Sequence, residues 1–448
     1  MPDGQSPAHR AAASLSRTAA QSPAAQSAVT PSQAGGAQVT HSHVAPSHIA
    51  PSHVASSRVS SSQVAPSQVA AWTDGQTEAD LRGRGSLKWS GTDQGVIGAW
   101  VAEMDLPLAP AITEALHQAA DSGLTGYLPA YLDAAVGEAT AHLQAGYGWQ
   151  VEPGSVHPVA SVVAALRIVL RNLTDPGAPV VLPTPAYMPF LSVPQLTGRE
   201  LITAPMRLNE ERWELDLDAI GAVLRPGALL LLTNPHNPTG RVFTTSELLA
   251  VADLVTEAGA TVFADEIHAP LVYPGHSFVP YASLTAETAA HTITGTSASK
   301  GWNIAGLGCA QLILSNDWAR DRWARIEPVE WYGATPLGAL ATVAAYTRGQ
   351  DHLAAAVDYL RAGRDLFARE LSVSLPAARF FPLEGTYLGW LDLRETGCAP
   401  GDVVPRARVR GVDGALCGSP GFLRINLAMP HQLVREMATR LGACARAS

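Results

Sequence analysis

From about Gly83 onward, short apolar runs of strand length alternate with stretches whose apolar residues recur at helical spacing. Residues 180–182, 229–232, 261–264 and 292–294 read as strands, and residues 246–257, opened by Thr244 and Thr245, read as a helix. Such alternation predicts an α/β fold, a mainly parallel sheet covered by helices. The first three runs end in polar clusters: PTPAY, TNPHNPTG and DEIH. Ligands in open α/β sheets bind beyond the carboxyl ends of the strands, so these clusters are expected to face one crevice. A second helix is expected to open within 159–166 and run to about Leu173. Beyond about Leu337 the pattern turns helical and then gives short strands around GTYLGWLDL and FLRINLAMP. The expected division is a large domain over 126–337 and a smaller α+β domain built from 73–125 and 338–448.

Residues 1–72 follow another rule. They are built mainly from Ser, Ala, Pro, Gln and His, with an aliphatic residue every fifth position from Val39 to Val69. Period five fits neither helix nor strand, and so few apolar groups do not offset chain entropy, which predicts a disordered tail. Its histidines at 41, 43, 48 and 53 lack the spacing of a metal site.

Composition removes several classes. A formal charge of -9 leaves no basic footprint for nucleic acid. No apolar run nears the roughly 18 residues that span a membrane. The four cysteines, Cys309, Cys398, Cys417 and Cys444, lie far apart without a CxxC pair. That spacing argues against a zinc site or a disulfide framework and suits a reducing, cytoplasmic setting.

Six features carry candidate chemistry. Lys300, in SASK, follows a strand over 291–296 and is one of two lysines in the chain, with Lys88. A partly desolvated lysine there can form a Schiff base, with Ser297 and Ser299 free to meet a phosphate, although a surface lysine in a loop would look the same. Asp265 ends an apolar run and needs a cationic partner. That partner is a cofactor's ring nitrogen or, as readily, a core ion pair, unless the residue is simply an N-cap. In TNPHNPTGR two prolines and a glycine force a turn that aims Asn237 inward. The helix starting near Ser161, Val162 and Val163 offers free backbone N–H groups to an anion. Tyr187, in PTPAYMPF, is placed to stack on a ring or merely to pack. Finally, Arg424 in FLRINLAMP sits in an apolar strand, where its planar fork suits a carboxylate, either a substrate's or an internal one.

Taken in order, this set resembles the fold-type I pyridoxal-phosphate (PLP) enzymes of the aspartate aminotransferase superfamily, over about Gly83 to Leu441. The blocks KWSGTDQGVIGAWVAEMDLPLAP, GYLPAY, DEIHAPLVYPGHSFVPYASL, SASKGWNIAGL and GTYLGWLDLR resemble its cystathionine β-lyase group, known as MalY/PatB. The resemblance implies that Lys300 holds PLP, Asp265 pairs with its pyridinium and Asn237 bonds its phenolic oxygen. It further implies that Tyr187 stacks on the ring, that His268 adjoins it, and that Arg424 and Tyr387 bind substrate. Ser161, Val162, Val163, Ser297 and Ser299 would hold the phosphate, joined by Tyr127 of a neighbouring subunit in a homodimer.

The implied reaction is α,β-elimination from cystathionine or another cysteine S-conjugate. Transamination is the alternative, and a PLP-binding regulatory protein a more distant one. Gly308, Pro270, Phe278, Ser161 and Cys417 depart from residues frequent at their positions, which bears on substrate more than on cofactor.

Overall fold

The computed structural model describes residues 66–210 and 212–446. Its main sheet has seven strands: β1 (Val156–Val159), β2 (Val180–Thr184), β3 (Leu201–Pro205), β4 (Leu229–Thr233), β5 (Thr261–Asp265), β6 (Thr292–Thr296) and β7 (Ala310–Leu314). Their order is β1-β7-β6-β5-β4-β2-β3. Only β7 runs antiparallel to its neighbours; the other pairs are parallel. Every residue of β4, β6 and β7 is buried. A sheet covered on both faces selects continuous apolar runs, which is why the central strands are readable from sequence. The two edge strands, VHPV and LITAP, each carry a proline that an edge tolerates, and neither forms an apolar run.

Helices fill in around the strands: α1 (Pro66–Asp74), α2 (Val162–Ile168), α3 (Thr245–Ala258), α4 (Ala298–Gly301), α5 (Gln350–Ser374) and α6 (His431–Arg446). Helix α3 starts where the sequence predicts, because Thr244 and Glu247 form a reciprocal capping box. It stops at Gly259, whose φ of 62° a side-chain-bearing residue adopts only with strain. Helix α2 departs from expectation. Residues 156–159 pair with 310–313 as strand, so the helix opens only at Val162, with Ser161 as its N-cap. It continues through a π-helical turn, Val169–Leu173, to the predicted end.

A second, antiparallel sheet has the order β8-β9-β11-β10, from β8 (Arg379–Phe380), β9 (Leu388–Asp392), β10 (Val412–Asp413) and β11 (Phe422–Asn426). Leu391, Leu423, Leu366, Phe367, Met437 and Leu441 form part of one buried cluster joining this sheet to α5 and α6. An N-terminal strip docks beside it. Ile97–Gly98 pairs in parallel with Val409–Arg410, and Asn426 Nδ2 donates to the carbonyls of Val101 and Glu103, both at 2.6 Å. The strip thereby passes across the carboxyl ends of the main strands.

Two expectations are corrected. The tail boundary at residue 72 falls inside α1, where Val69 is 1% exposed in the core and the Asp74 carboxylate accepts from Tyr359 Oη at 2.5 Å and His431 N at 2.9 Å. Buried Val69 and Thr73 and a clamped aspartate fix this helix, a signal too sparse for periodicity to reveal. The rest of the expected tail lies outside the described residues. Against the reading of the cysteines, Cys398 and Cys444 are joined in a disulfide, Cα atoms 5.7 Å apart. It joins a loop after β9 to the last turns of α6, 46 residues on, a pairing that no local spacing announces. Cys309 and Cys417 are free and buried. No helix among the described residues is long and apolar enough to cross a membrane.

Candidate active site

The carboxyl ends of β4, β5 and β6 deliver Thr233, Asp265 and Thr296 to one edge of the sheet, and the segments that follow enclose a cavity of about 150 Å³. Ser161, Val162, Val163, Tyr187, Asn237, Asp265, His268, Ser299 and Lys300 all line it, as the sequence predicts. Ala102, Phe190 and Ile267 complete much of its wall.

Asp265 is 4% exposed, and among the described residues its Oδ1 accepts from Ile267 N alone, at 3.2 Å. Burial pushes its carboxyl up to about 7, against that hydrogen bond and the Lys300 charge. Burial likewise pushes the adjoining Glu266 up to about 8. Glu266 accepts from Tyr281 N at 2.8 Å through one oxygen, and its other oxygen has no partner. Lys300, on α4, donates from Nζ to the carbonyl of Ala102 at 3.0 Å. Burial, with the Arg424 charge beside it, pushes its amine down to about 8.

Arg424 is 3% exposed, and no carboxylate pairs with it among the described residues. Its Nη1 donates to Asn237 Oδ1 at 3.1 Å and its Nη2 to the Trp100 carbonyl at 3.0 Å. Tyr387 Oη donates to the same Ala102 carbonyl that Lys300 uses, at 2.9 Å. The strip over 100–102 thus holds both cations by its main chain. Sequence reading missed this, because a backbone carbonyl leaves no residue-type signature.

His268 meets the Tyr387 ring edge-on at 6.3 Å, and its Nδ1 is buried without a partner. Burial, followed by the charges of Lys300 and Arg424, pushes it down to about 3, so the imidazole is neutral. Tyr187 is the N-cap residue of the helix Met188–Leu196 and packs edge-on against Phe190 at 5.3 Å.

Arg424 and Tyr387 adjoin the cavity through Asn237 and the Ala102 carbonyl without lining it, and two other expected residues lie elsewhere. Ser297 is 1% exposed, and its hydroxyl is spent on the Cys309 carbonyl at 2.8 Å and on Ser299 Oγ at 2.7 Å; it caps α4 rather than lining the cavity. Tyr127 is 80% exposed and lines a separate groove of about 600 Å³ with Tyr332, whose ring it meets at 5.9 Å.

The donor set fits PLP. Among the described residues no cation bonds the buried carboxylate of Asp265, which suits a pyridinium N–H. Lys300, bonded among the same residues to a carbonyl alone, suits a covalent link to the aldehyde. The first N–H groups of α2, which no intrahelical carbonyl takes, suit a phosphate.

The sequence model of the aminotransferase class I and II family matches residues 100–441, most of the chain. The chain belongs to that family. A cystathionine β-lyase of Corynebacterium glutamicum is 34% identical over 374 residues, covering 81% of this chain and 98% of the relative. The cystathionine β-lyase PatB of Bacillus subtilis is 32% identical over 376 residues, covering 81% and 97%. A crystal structure of a putative PLP-dependent β-cystathionase from Corynebacterium diphtheriae superposes with a TM-score of 0.78 at 35% identity, covering 84% of this chain and 99% of the other. The family's fold-type I architecture is the one described above, and the family resemblance read from the motifs holds.

Proposed function

We propose that this chain is a PLP-dependent carbon–sulfur β-lyase that cleaves cystathionine or a related cysteine S-conjugate. Water is consumed, and the products are a thiol, pyruvate and ammonia. The observation that carries the reading is Lys300 in the cavity lining with Arg424 bonded to Asn237 of the same lining. The first is a lysine whose amine burial pushes down, and the second is a buried guanidinium bound by no carboxylate among the described residues. Relatives bearing the name cystathionine β-lyase support the substrate class.

Bound PLP supplies an electron-accepting ring conjugated to the substrate's amine, which makes the α-carbon acidic. Lys300 would hold the cofactor covalently. The carboxylate of Asp265 would keep the ring nitrogen protonated, and Asn237 would bond the phenolic oxygen. The N–H groups of Val162 and Val163, with the Ser161 and Ser299 hydroxyls, would hold the phosphate, and Tyr187 would cover one ring face. The Arg424 fork takes the substrate's carboxylate, with Tyr387 beside it, and fixes which bond at the α-carbon faces the lysine. Once the substrate's amine has displaced it, Lys300 removes the α-proton as general base. An amine titrating near 8 is neutral in substantial part at that pH, as the step requires. The electron pair of the carbon–sulfur bond leaves with sulfur as a thiolate. Neutral His268 contributes no competing charge next to the ring.

A homodimer belongs to the same proposal. Exposed Tyr127 and Tyr332 on an open, largely apolar groove suit a subunit contact, with Tyr127 reaching the neighbour's phosphate. The proposal also takes in a division into a large domain (126–337) and a small one (73–125 with 338–448), and a cytoplasmic setting, for which the bridged Cys398 and Cys444 no longer argue. Incubation with cystathionine alone tests the reaction. Pyruvate, ammonia and homocysteine are expected in equal amounts without any keto acid. A requirement for a keto-acid acceptor, with no thiol formed, would make the chain an aminotransferase, the reaction that names its family.

A further inference from the structure

Arg241 ends the turn that carries Asn237, four residues earlier, and Glu384 precedes β9 by four residues. Arg241 is 2% exposed. Its Nε donates to Glu384 Oε2 at 3.0 Å, its Nη2 to both oxygens of Glu247 at 2.9 Å, and its Nη1 to the Trp213 carbonyl. Glu384 is 8% exposed, and its Oε2 also accepts from Val242 N at 2.8 Å. Each of the three guanidinium nitrogens donates to a partner, and the pair is withdrawn from solvent.

The main chain is tied at the same place. The amides of Glu384 and Gly385 both donate to the Gly240 carbonyl, at 2.9 and 3.0 Å. Thr386 N donates to the Leu271 carbonyl at 2.7 Å, and Tyr273 Oη donates to the Thr386 carbonyl at 2.7 Å. Gly240 has φ +72°, and a Cβ there would lie 2.1 Å from Leu383 Cδ2, so only glycine permits this approach. From the junction one chain leads back to Asn237. The other leads into β9, where Trp390 pairs with Arg424 of β11. The two ends meet again at the site, where Arg424 Nη1 donates to Asn237 Oδ1.

We propose that Arg241 and Glu384 are positioning residues of the active site: together they set the separation between Asn237 on the main sheet and Arg424 on the second sheet, and so between cofactor and substrate carboxylate. This rests on the β-lyase reading of Arg424. The pair touches neither ligand and acts only through the segments it joins. An isolated structural ion pair would affect stability alone, whereas a spacer affects substrate binding.

The test uses the full-length holoenzyme with Glu384→Gln, Arg241→Lys, Arg241→Gln and Arg424→Gln. Glu384→Gln keeps the acceptor for Val242 N and loses only the charge. It is expected to raise KM for cystathionine about tenfold with kcat changed less than threefold, because the contact of Arg424 with the carboxylate is made in ground and transition states alike. The dissociation constant for L-alanine, which carries the amine and carboxylate but no leaving group, should rise by the same factor. Arg241→Lys should recover part of the loss seen in Arg241→Gln. In the apoprotein of the Glu384→Gln variant, the Thr386 amide should exchange with deuterium at least tenfold faster. Unchanged KM and alanine affinity, or a loss confined to melting temperature, would overturn the proposal. If Arg424→Gln itself leaves KM unchanged, the carboxylate assignment fails instead. Should Glu384→Gln not fold, the Arg241→Lys comparison carries the same readouts.

Discussion

Lys300 and Asp265 are the groups whose charge the fold sets most directly. Replacing Lys300 by Ala should abolish turnover and the borohydride-fixed PLP adduct at this position, measured by peptide mass spectrometry, because Lys88 is buried against Asp105 elsewhere. A fixed adduct in that variant would remove Lys300 as the cofactor lysine. With its amine pushed down to about 8, kcat should climb as pH rises towards about 8 and then level. A flat profile across that range would exclude it as the base. The apoprotein should show a different window. Asp265 is pushed up to about 7 and Glu266 to about 8, so the folded state keeps protons that the unfolded state has released above about pH 4. These two carboxyls therefore contribute a stability that falls between about pH 4 and 7, by up to about 1.4 kcal/mol per pH unit for each proton held, whereas buried histidines such as His268 contribute the opposite slope below about pH 6.5. The stability of the parent minus that of Asp265→Asn isolates the first contribution, and in denaturant melts this difference should shrink as pH rises from about 4 to 7. At this scale most of the cavity was legible, because Lys300, Asp265 and Asn237 each follow a strand end. Ser297 misled because a hydroxyl beside the lysine looks the same whether it caps a helix or faces a ligand.

Among elements, the clearest success is α3, foretold by Thr244 and Thr245 and by the apolar spacing over residues 246–257. Thr244→Ala should cost about 1 kcal/mol of stability, read from denaturant melts, through loss of the capping box. The central strands were legible for a related reason, since full burial writes itself as aliphatic runs. Edge strands and α1 were not, because the edges carry Pro158 and Pro205 among residues of mixed character and α1 buries little beyond Val69 and Thr73. Its anchoring gives a sharp expectation for truncation. Removing residues 1–65 should leave melting temperature and turnover unchanged, on the composition of that segment. Removing 1–75 should lower stability by at least the roughly 1.5–3 kcal/mol of a buried valine, besides the Asp74 contacts. Equal melting temperatures for the two truncations would mean that α1 contributes nothing.

For the whole molecule, alternating strands and helices announced a mainly parallel sheet, whereas contacts between distant segments stayed silent. The Cys398–Cys444 bridge is the plainest case. Closing a separation of 46 residues is worth about 4 kcal/mol in the chain-entropy account. Cys398→Ser should lower stability towards that amount without reductant and make little difference with it. Peptide mapping under non-reducing conditions checks the bridge itself. Assembly is the other long-range matter. Sedimentation should show a dimer at working concentration, and Tyr127→Phe should weaken PLP binding by roughly 1 kcal/mol, one hydrogen bond. An active monomer would contradict the shared site.

The carbonyl of Ala102 receives both Lys300 and Tyr387, from 198 and 285 residues along the chain. An acceptor in the peptide unit belongs to no side chain, so exchanging Ala102 for Gly or Ser leaves it in place. Codon-level scanning would therefore score position 102 as permissive while the atom beside it orients the amine. Semisynthesis reaches what mutagenesis does not. Replacing the amide that links residues 102 and 103 by an ester makes the same oxygen a weaker acceptor at nearly unchanged shape. Turnover should drop in the ester-linked protein and persist in Ala102→Gly, a contrast that isolates one main-chain oxygen as a working part of the catalyst.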